Sequence, residues 1–112
     1  MHSPELVKGT LQTIILKLLS DHGRMYGYEI TQKVRDISDG ALVITEGALY
    51  PTLHRLEAQG MVTTDKEHIG KRVRKYYKLT ESGHASVMER INEFENFVRT
   101  MFTLLKLNPQ SL

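Results

Sequence analysis

The sequence predicts an α+β fold, mostly helical, in which three helices precede a two-stranded hairpin and a long helix follows it. Two observations carry this. Apolar residues recur at steps of three and four, switch to alternation between Met61 and Leu79, and return to the helical step after Thr80. Turn-forming residues stand at the junctions, at His22-Gly23, Ser38-Asp39-Gly40, Gly60, Gly70 and Asn108-Pro109.

The first helix is expected over roughly Glu5 to Asp21, where Leu11, Ile14, Ile15, Leu18 and Leu19 form one broad stripe. Pro4 and Glu5 suit its first turn, where a missing N–H costs nothing and an acid meets the positive end of the helix dipole. The second runs from about Tyr26 to Ile37 with Ile30, Val34 and Ile37 inward. The third spans Thr45 to Gln59, with Thr45 as N-cap and Gly60 just past its end. Met61 to Lys66 then reads as a strand, His68 to Gly70 as a turn, and Val73 to Leu79 as the returning strand. In that second strand Val73, Tyr77 and Leu79 share one face, and Arg74, Tyr76 and Lys78 the other. Thr80 caps the last helix, along which Val87, Ile91, Phe94, Val98, Met101 and Leu105 recur at heptad spacing. Three short helices followed by a hairpin is the order of a winged helix-turn-helix.

The chain has 112 residues, 40% of them hydrophobic, enough for one compact domain with an appended helix. The expected division is 1–80 for that domain and 81–112 for the helix. Cysteine is absent, which removes disulfide scaffolds, zinc knuckles and thiol nucleophiles. No apolar run approaches the roughly 20 residues that span a bilayer, and the N-terminus carries no signal-like apolar stretch, so a cytoplasmic protein is expected. His22, His54, His68 and His84 are scattered without metal-ligand spacing, and no metal or other cofactor is expected. No nucleophile elbow, paired-carboxylate motif or phosphate loop points to an enzyme.

Charge is more informative once divided. Lys66, Lys71, Arg72, Arg74, Lys75 and Lys78 stand against Glu67 alone, a local +5 in a chain of net +2, which leaves −3 for the remainder. A concentrated basic segment on a weakly acidic body is the footprint of a polyanion partner. The third helix is unusual on the side opposite Leu49, Leu53 and Leu56. Gly47, Tyr50, Pro51, His54 and Ala58 project there, flanked by Arg55, where an ordinary surface helix carries Glu, Lys and Gln. Such a surface approaches a groove closely and offers hydrogen bonds to phosphates or base edges. Tyr50 either makes such a contact or packs against the hairpin. Pro51 deprives the Gly47 carbonyl of its helical donor, and the pair predicts a bend near the inserting end of the helix.

Lys8-Gly9-Thr10-Leu11, Tyr26-Gly27-Tyr28-Glu29-Ile30, Glu46-Gly47-Ala48-Leu49-Tyr50-Pro51, Leu53 to Glu57 with Gly60, and Arg74-Lys75-Tyr76-Tyr77-Lys78-Leu79-Thr80 together resemble the PadR family of bacterial transcriptional regulators. The resemblance covers roughly Glu5 to Gly83 and points to the short subfamily with one C-terminal helix. It implies a winged-helix domain, a homodimer held by the C-terminal helix, and repression through pseudo-palindromic operators in double-stranded DNA. It places the recognition helix on Thr45 to Gln59, the wing on Met61 to Leu79, and a phosphate contact at Tyr26. The expected DNA-binding set is Tyr26, Thr45, Glu46, Gly47, Tyr50, Pro51, His54 and Arg55 with Lys66, Lys71, Arg72, Arg74 and Lys75. The expected dimer face is Leu11, Ile15, Val87, Ile91, Phe94, Phe97, Val98, Met101 and Leu105. Some short members hold flat aromatic molecules between their C-terminal helices with the help of a tryptophan. This chain has none, and Phe94 and Phe97 are either plain dimer core or the walls of a site for a planar hydrophobic effector. The competing readings are a sensor whose ligand response dominates, and a winged helix that binds protein.

Overall fold

The computed structural model describes residues 2–111. Helix α1 (Pro4–Lys8) and helix α2 (Leu11–His22) replace the single first helix expected from the periodicity. The break falls at Gly9-Thr10, where the Thr10 hydroxyl donates to the Val7 carbonyl at 3.0 Å. A threonine that bonds locally competes with the helical ladder. Strand β1 (Met25–Tyr26) was not foreseen, since two residues carry no period. It leads directly into α3 (Gly27–Ile37), and the Tyr26 N–H donates to the Glu29 carboxylate at 3.1 Å. Ile30 and Val34 are buried, but Ile37, expected inward, is 65% exposed. It is the last residue of α3, and the helix has by then outrun the elements that cover Ile30 and Val34.

Helix α4 (Glu46–Ala58) begins as expected, with the Thr45 hydroxyl accepting the Ala48 N–H at 3.2 Å. It continues through Pro51 without interruption, so the bend anticipated there does not break the element. Gly60 ends it at φ 75°, a left-handed conformation that glycine adopts without steric cost. Strands β2 (Val62–Ile69) and β3 (Arg72–Leu79) are longer than expected and turn at Gly70-Lys71. Gly70, at φ 62° in the first turn position, fits a type II′ hairpin. The sheet is antiparallel in the order β1-β3-β2, with Met25 opposite Tyr77 and Tyr26 opposite Tyr76.

The core is a single cluster of Leu11, Ile15, Leu16, Leu18 and Leu19 from α2, Ile30 and Val34 from α3, Leu49, Leu53 and Leu56 from α4, and Met25, Val62, Tyr77 and Leu79 from the sheet. Helix α5 (Glu81–Leu105) joins it through Val87. Its start is clamped. The Thr80 hydroxyl accepts the Gly83 N–H at 3.0 Å and donates to the Gly60 carbonyl, and the Thr80 N–H donates to the Met61 carbonyl at 3.0 Å. Further along, the Arg90 guanidinium donates to the Gln12 side chain at 2.7 Å, tying α5 to α2.

Leu11, Ile15 and Val87, assigned from sequence to a dimer face, are instead spent in the chain's own core at 2%, 0% and 5% exposure. A side chain with no surface in the single chain has none to offer a partner. Ile91 is half-buried against the same core. Beyond it α5 runs on with Phe94 and Phe97 exposed and Val98, Met101 and Phe102 partly so. None of the described helices is long and apolar enough to cross a membrane.

Candidate nucleic-acid interface

Helix α4 buries Leu49, Thr52, Leu53 and Leu56 and leaves Glu46, Gly47, Tyr50, Pro51, His54 and Arg55 exposed. Thr52 is the unforeseen buried residue, and its hydroxyl is satisfied by donating to the Ala48 carbonyl at 2.8 Å. With Gly47 and Ala48 in the first turn, the backbone at the positive end of the helix dipole lies close to the surface.

Tyr50 resolves into both of its alternatives. It is 36% exposed, yet its ring end lies so close to Gly27 that a Cβ there would collide with the hydroxyl and Cζ. The missing side chain at the start of α3 is what seats the phenol. Tyr50, Tyr28, Arg72, Val73 and Lys75 line a groove of about 420 Å³ between the helix starts and the hairpin. Tyr28, 63% exposed, was missed from sequence, although the Tyr26-Gly27-Tyr28 repeat around the short strand was the signal available.

The hairpin register sorts the basic segment into two groups. Lys66 lies opposite Lys75, and His68 opposite Val73, on the face shared with buried Tyr77 and Leu79. Like charges directly across a ladder repel, so this pair gains from an anion between them. Burial raises the pKa of the Tyr77 phenol, opposed by the Lys75 ammonium over its ring. On the other face the charge is largely answered within the chain. Lys78 pairs with Asp65 at 3.0 Å and Arg24 pairs with Glu67 at 2.9 Å. The Arg24 guanidinium lies 4.2 Å from the Tyr76 ring centre, Tyr76 meets Tyr26 edge to face at 5.5 Å, and Arg74 covers Tyr26 at 4.1 Å. Each such cation–aromatic contact is worth about 0.5–1 kcal/mol at an exposed site. Hydrogen bonding to Tyr76 raises the pKa of Arg74, with the charges of Tyr26, Tyr76 and Glu29 adding.

The structure thus brings Tyr50, Arg72 and Lys75 to one groove and separates Tyr26 and Arg74 from them, on the opposite face of the sheet. Among the described residues Lys66, Lys71, Arg72 and Lys75 form no ion pair with an acid. They are the uncompensated part of the basic segment.

Residues 15–89 match the Transcriptional regulator PadR-like family. The chain belongs to that family. It is 30% identical over 95 residues to the transcriptional regulator Rv3488 of Mycobacterium tuberculosis, covering 85% of each chain. A transcriptional regulator from Clostridium thermocellum has a similar fold, with a TM-score of 0.82 at 31% identity over 92% of this chain and 97% of the other. Bacillus subtilis PadR, solved in complex with operator DNA, matches with a TM-score of 0.65 at 28% identity over 72% of this chain and 46% of that one. The chain is a transcriptional regulator with the PadR winged-helix fold, and the three helices α2, α3 and α4 with the β2–β3 wing are its DNA-binding architecture.

Proposed function

We propose that this regulator is a repressor that binds a pseudo-palindromic operator as a homodimer. Residues 1–80 grip the DNA and residues 81–112 pair the chains. The observation that carries the reading is the placement of the exposed α4 face and the uncompensated wing cations around one groove. The operator-bound Bacillus subtilis PadR supports it. In this reading Thr45, Glu46, Gly47, Tyr50, Pro51, His54 and Arg55 meet the major groove. Lys66, Lys71, Arg72 and Lys75 neutralise phosphates, while Arg74 and Tyr26 chiefly stiffen the wing. Phe94, Phe97, Val98, Met101 and Leu105 form the dimer seam, with Ile91 at its inner edge. Two-fold symmetry then spaces the half-sites by about 10–10.5 bp or a multiple.

The test is fluorescence anisotropy with DNA from upstream of the chain's own gene, at several salt concentrations. Tight, salt-dependent binding is expected, and its absence removes the reading. Lys71→Glu with Arg72→Glu should weaken binding to all sequences alike and reduce the slope of log affinity against log salt by about two. A loss confined to the operator would contradict the phosphate role. Tyr50→Ala should cost the operator about 1–3 kcal/mol. Gly27→Ala should reproduce part of that loss by displacing the phenol, without removing any DNA-facing atom. Full affinity in Gly27→Ala would show that the seating of Tyr50 is irrelevant to DNA.

A second reading, a planar hydrophobic effector beside Phe94 and Phe97, is favoured by the open groove of about 830 Å³ that these residues line with Leu6 and Met61.

A further inference from the structure

A second cavity, of about 590 Å³, lies apart from both the α5 groove and the wing. Its walls come from three places. Val7 and Leu11 approach from α1 and α2, Leu42 and Ile44 from the loop between α3 and α4, and Gly47 and Pro51 from the DNA-facing helix itself. The loop wall is fixed in place, because the Leu42 N–H donates to the Ser38 hydroxyl oxygen at 3.0 Å and that hydroxyl lies 3.3 Å from the Leu42 carbonyl. The volume is that of a pocket for a drug-sized molecule, and the lining is mostly apolar.

The polar groups at its margin have one sign. Lys8 and Arg55 both line the cavity, no Asp or Glu does, and neither cation forms an ion pair among the described residues. On the α4 wall the Gly47 carbonyl has no helical donor, since Pro51 carries no N–H. The site therefore offers an apolar hollow, two unanswered positive charges and one backbone acceptor.

We propose that this cavity binds a small amphiphilic anion, its apolar body between α1 and the 42–44 loop and its acidic group set against Lys8 and Arg55. Occupancy changes the packing behind Gly47 and Pro51 and so is coupled to operator binding. That coupling rests on the DNA-binding reading, whereas the binding of the anion does not.

The probe is 8-anilinonaphthalene-1-sulfonate, titrated into the full chain without DNA, with decanoate as competitor. One dye per chain is expected, displaced by decanoate at least ten times better than by decanol. Val7→Trp, which fills the hollow, should weaken dye binding at least tenfold, and Phe97→Asp should leave it unchanged. Should Val7→Trp fail to fold, exposed Lys8→Gln carries the test, with at least a threefold loss at low salt. Wild-type dye affinity in the folded variants, loss of the dye in Phe97→Asp, or dye binding that falls as a second copy associates would each overturn the site. With DNA present, saturating decanoate should weaken operator binding at least fivefold. Dye binding with unchanged operator affinity would overturn the coupling, and a chain that binds the dye but no DNA would overturn the repressor reading while supporting the site.

Discussion

Phe97→Asp is expected to convert the protein to a monomer and to lower operator affinity by about 10²–10⁴-fold. The magnitude follows from linkage. Two half-site contacts held together bind more tightly than either alone by the effective concentration that the dimer provides, and that gain vanishes when the chains part. Phe97 is 57% exposed in the single chain, and a surface substitution of this kind shifts stability by only about 0.5 kcal/mol. The loss would therefore report assembly, free of damage to the fold. Ile91 is a poorer site for the same experiment, because it packs on the chain's own core and a charge there would also disturb α2. Sedimentation velocity reads the assembly and anisotropy reads the DNA. A variant that stays dimeric would move the interface away from α5, and a monomer with full affinity would show that pairing does not serve binding.

Gly83→Ala should destabilise the fold by on the order of 3 kcal/mol and lower Tm by about 10–20 °C. The sign is the informative part. Glycine inside a helix ordinarily costs about 0.5–1 kcal/mol relative to alanine, so the same change at a free position would stabilise. Gly83 is buried in the first turn of α5, where a Cβ would run into the Met61 carbonyl and press on Leu79. The obstacle is mainly backbone, held by the Thr80 N–H and unable to swing aside as a side chain would. The neighbouring exposed His84→Ala supplies the control, with little change expected. Thermal denaturation followed by circular dichroism measures both. An unchanged or raised Tm in Gly83→Ala would mean that α5 does not sit on the β2 entry as described. Since this contact sets the direction in which the rest of α5 leaves the core, a folded but shifted variant should also pair less well.

Much of this architecture is readable one segment at a time. Thr45 and Thr80 as caps, Gly60 as a helix stop, the hairpin and the exposed face of α4 all follow from spacing and residue type, since each depends on neighbours within a turn or two. The Gly9-Thr10 break was masked because the apolar stripe on either side keeps nearly the same phase. Strand β1 was invisible for a different reason. Met25-Tyr26 is extended because β3 lies beside it, some fifty residues later in the chain.

From its sequence alone the chain determined its periodicities, its punctuation and the concentration of positive charge between Lys66 and Lys78, because these are local properties of covalent order. Tertiary structure decided how those resources are allocated. Folding draws Leu11, Ile15 and Val87 inward and leaves Phe94 and Phe97 outside, and it sets Glu67 against Arg24 and Asp65 against Lys78 while Lys66, Lys71, Arg72 and Lys75 stay unanswered. Burial and charge compensation are relations between residues far apart in the chain. They take their values only when packing brings those residues within a few ångströms of each other.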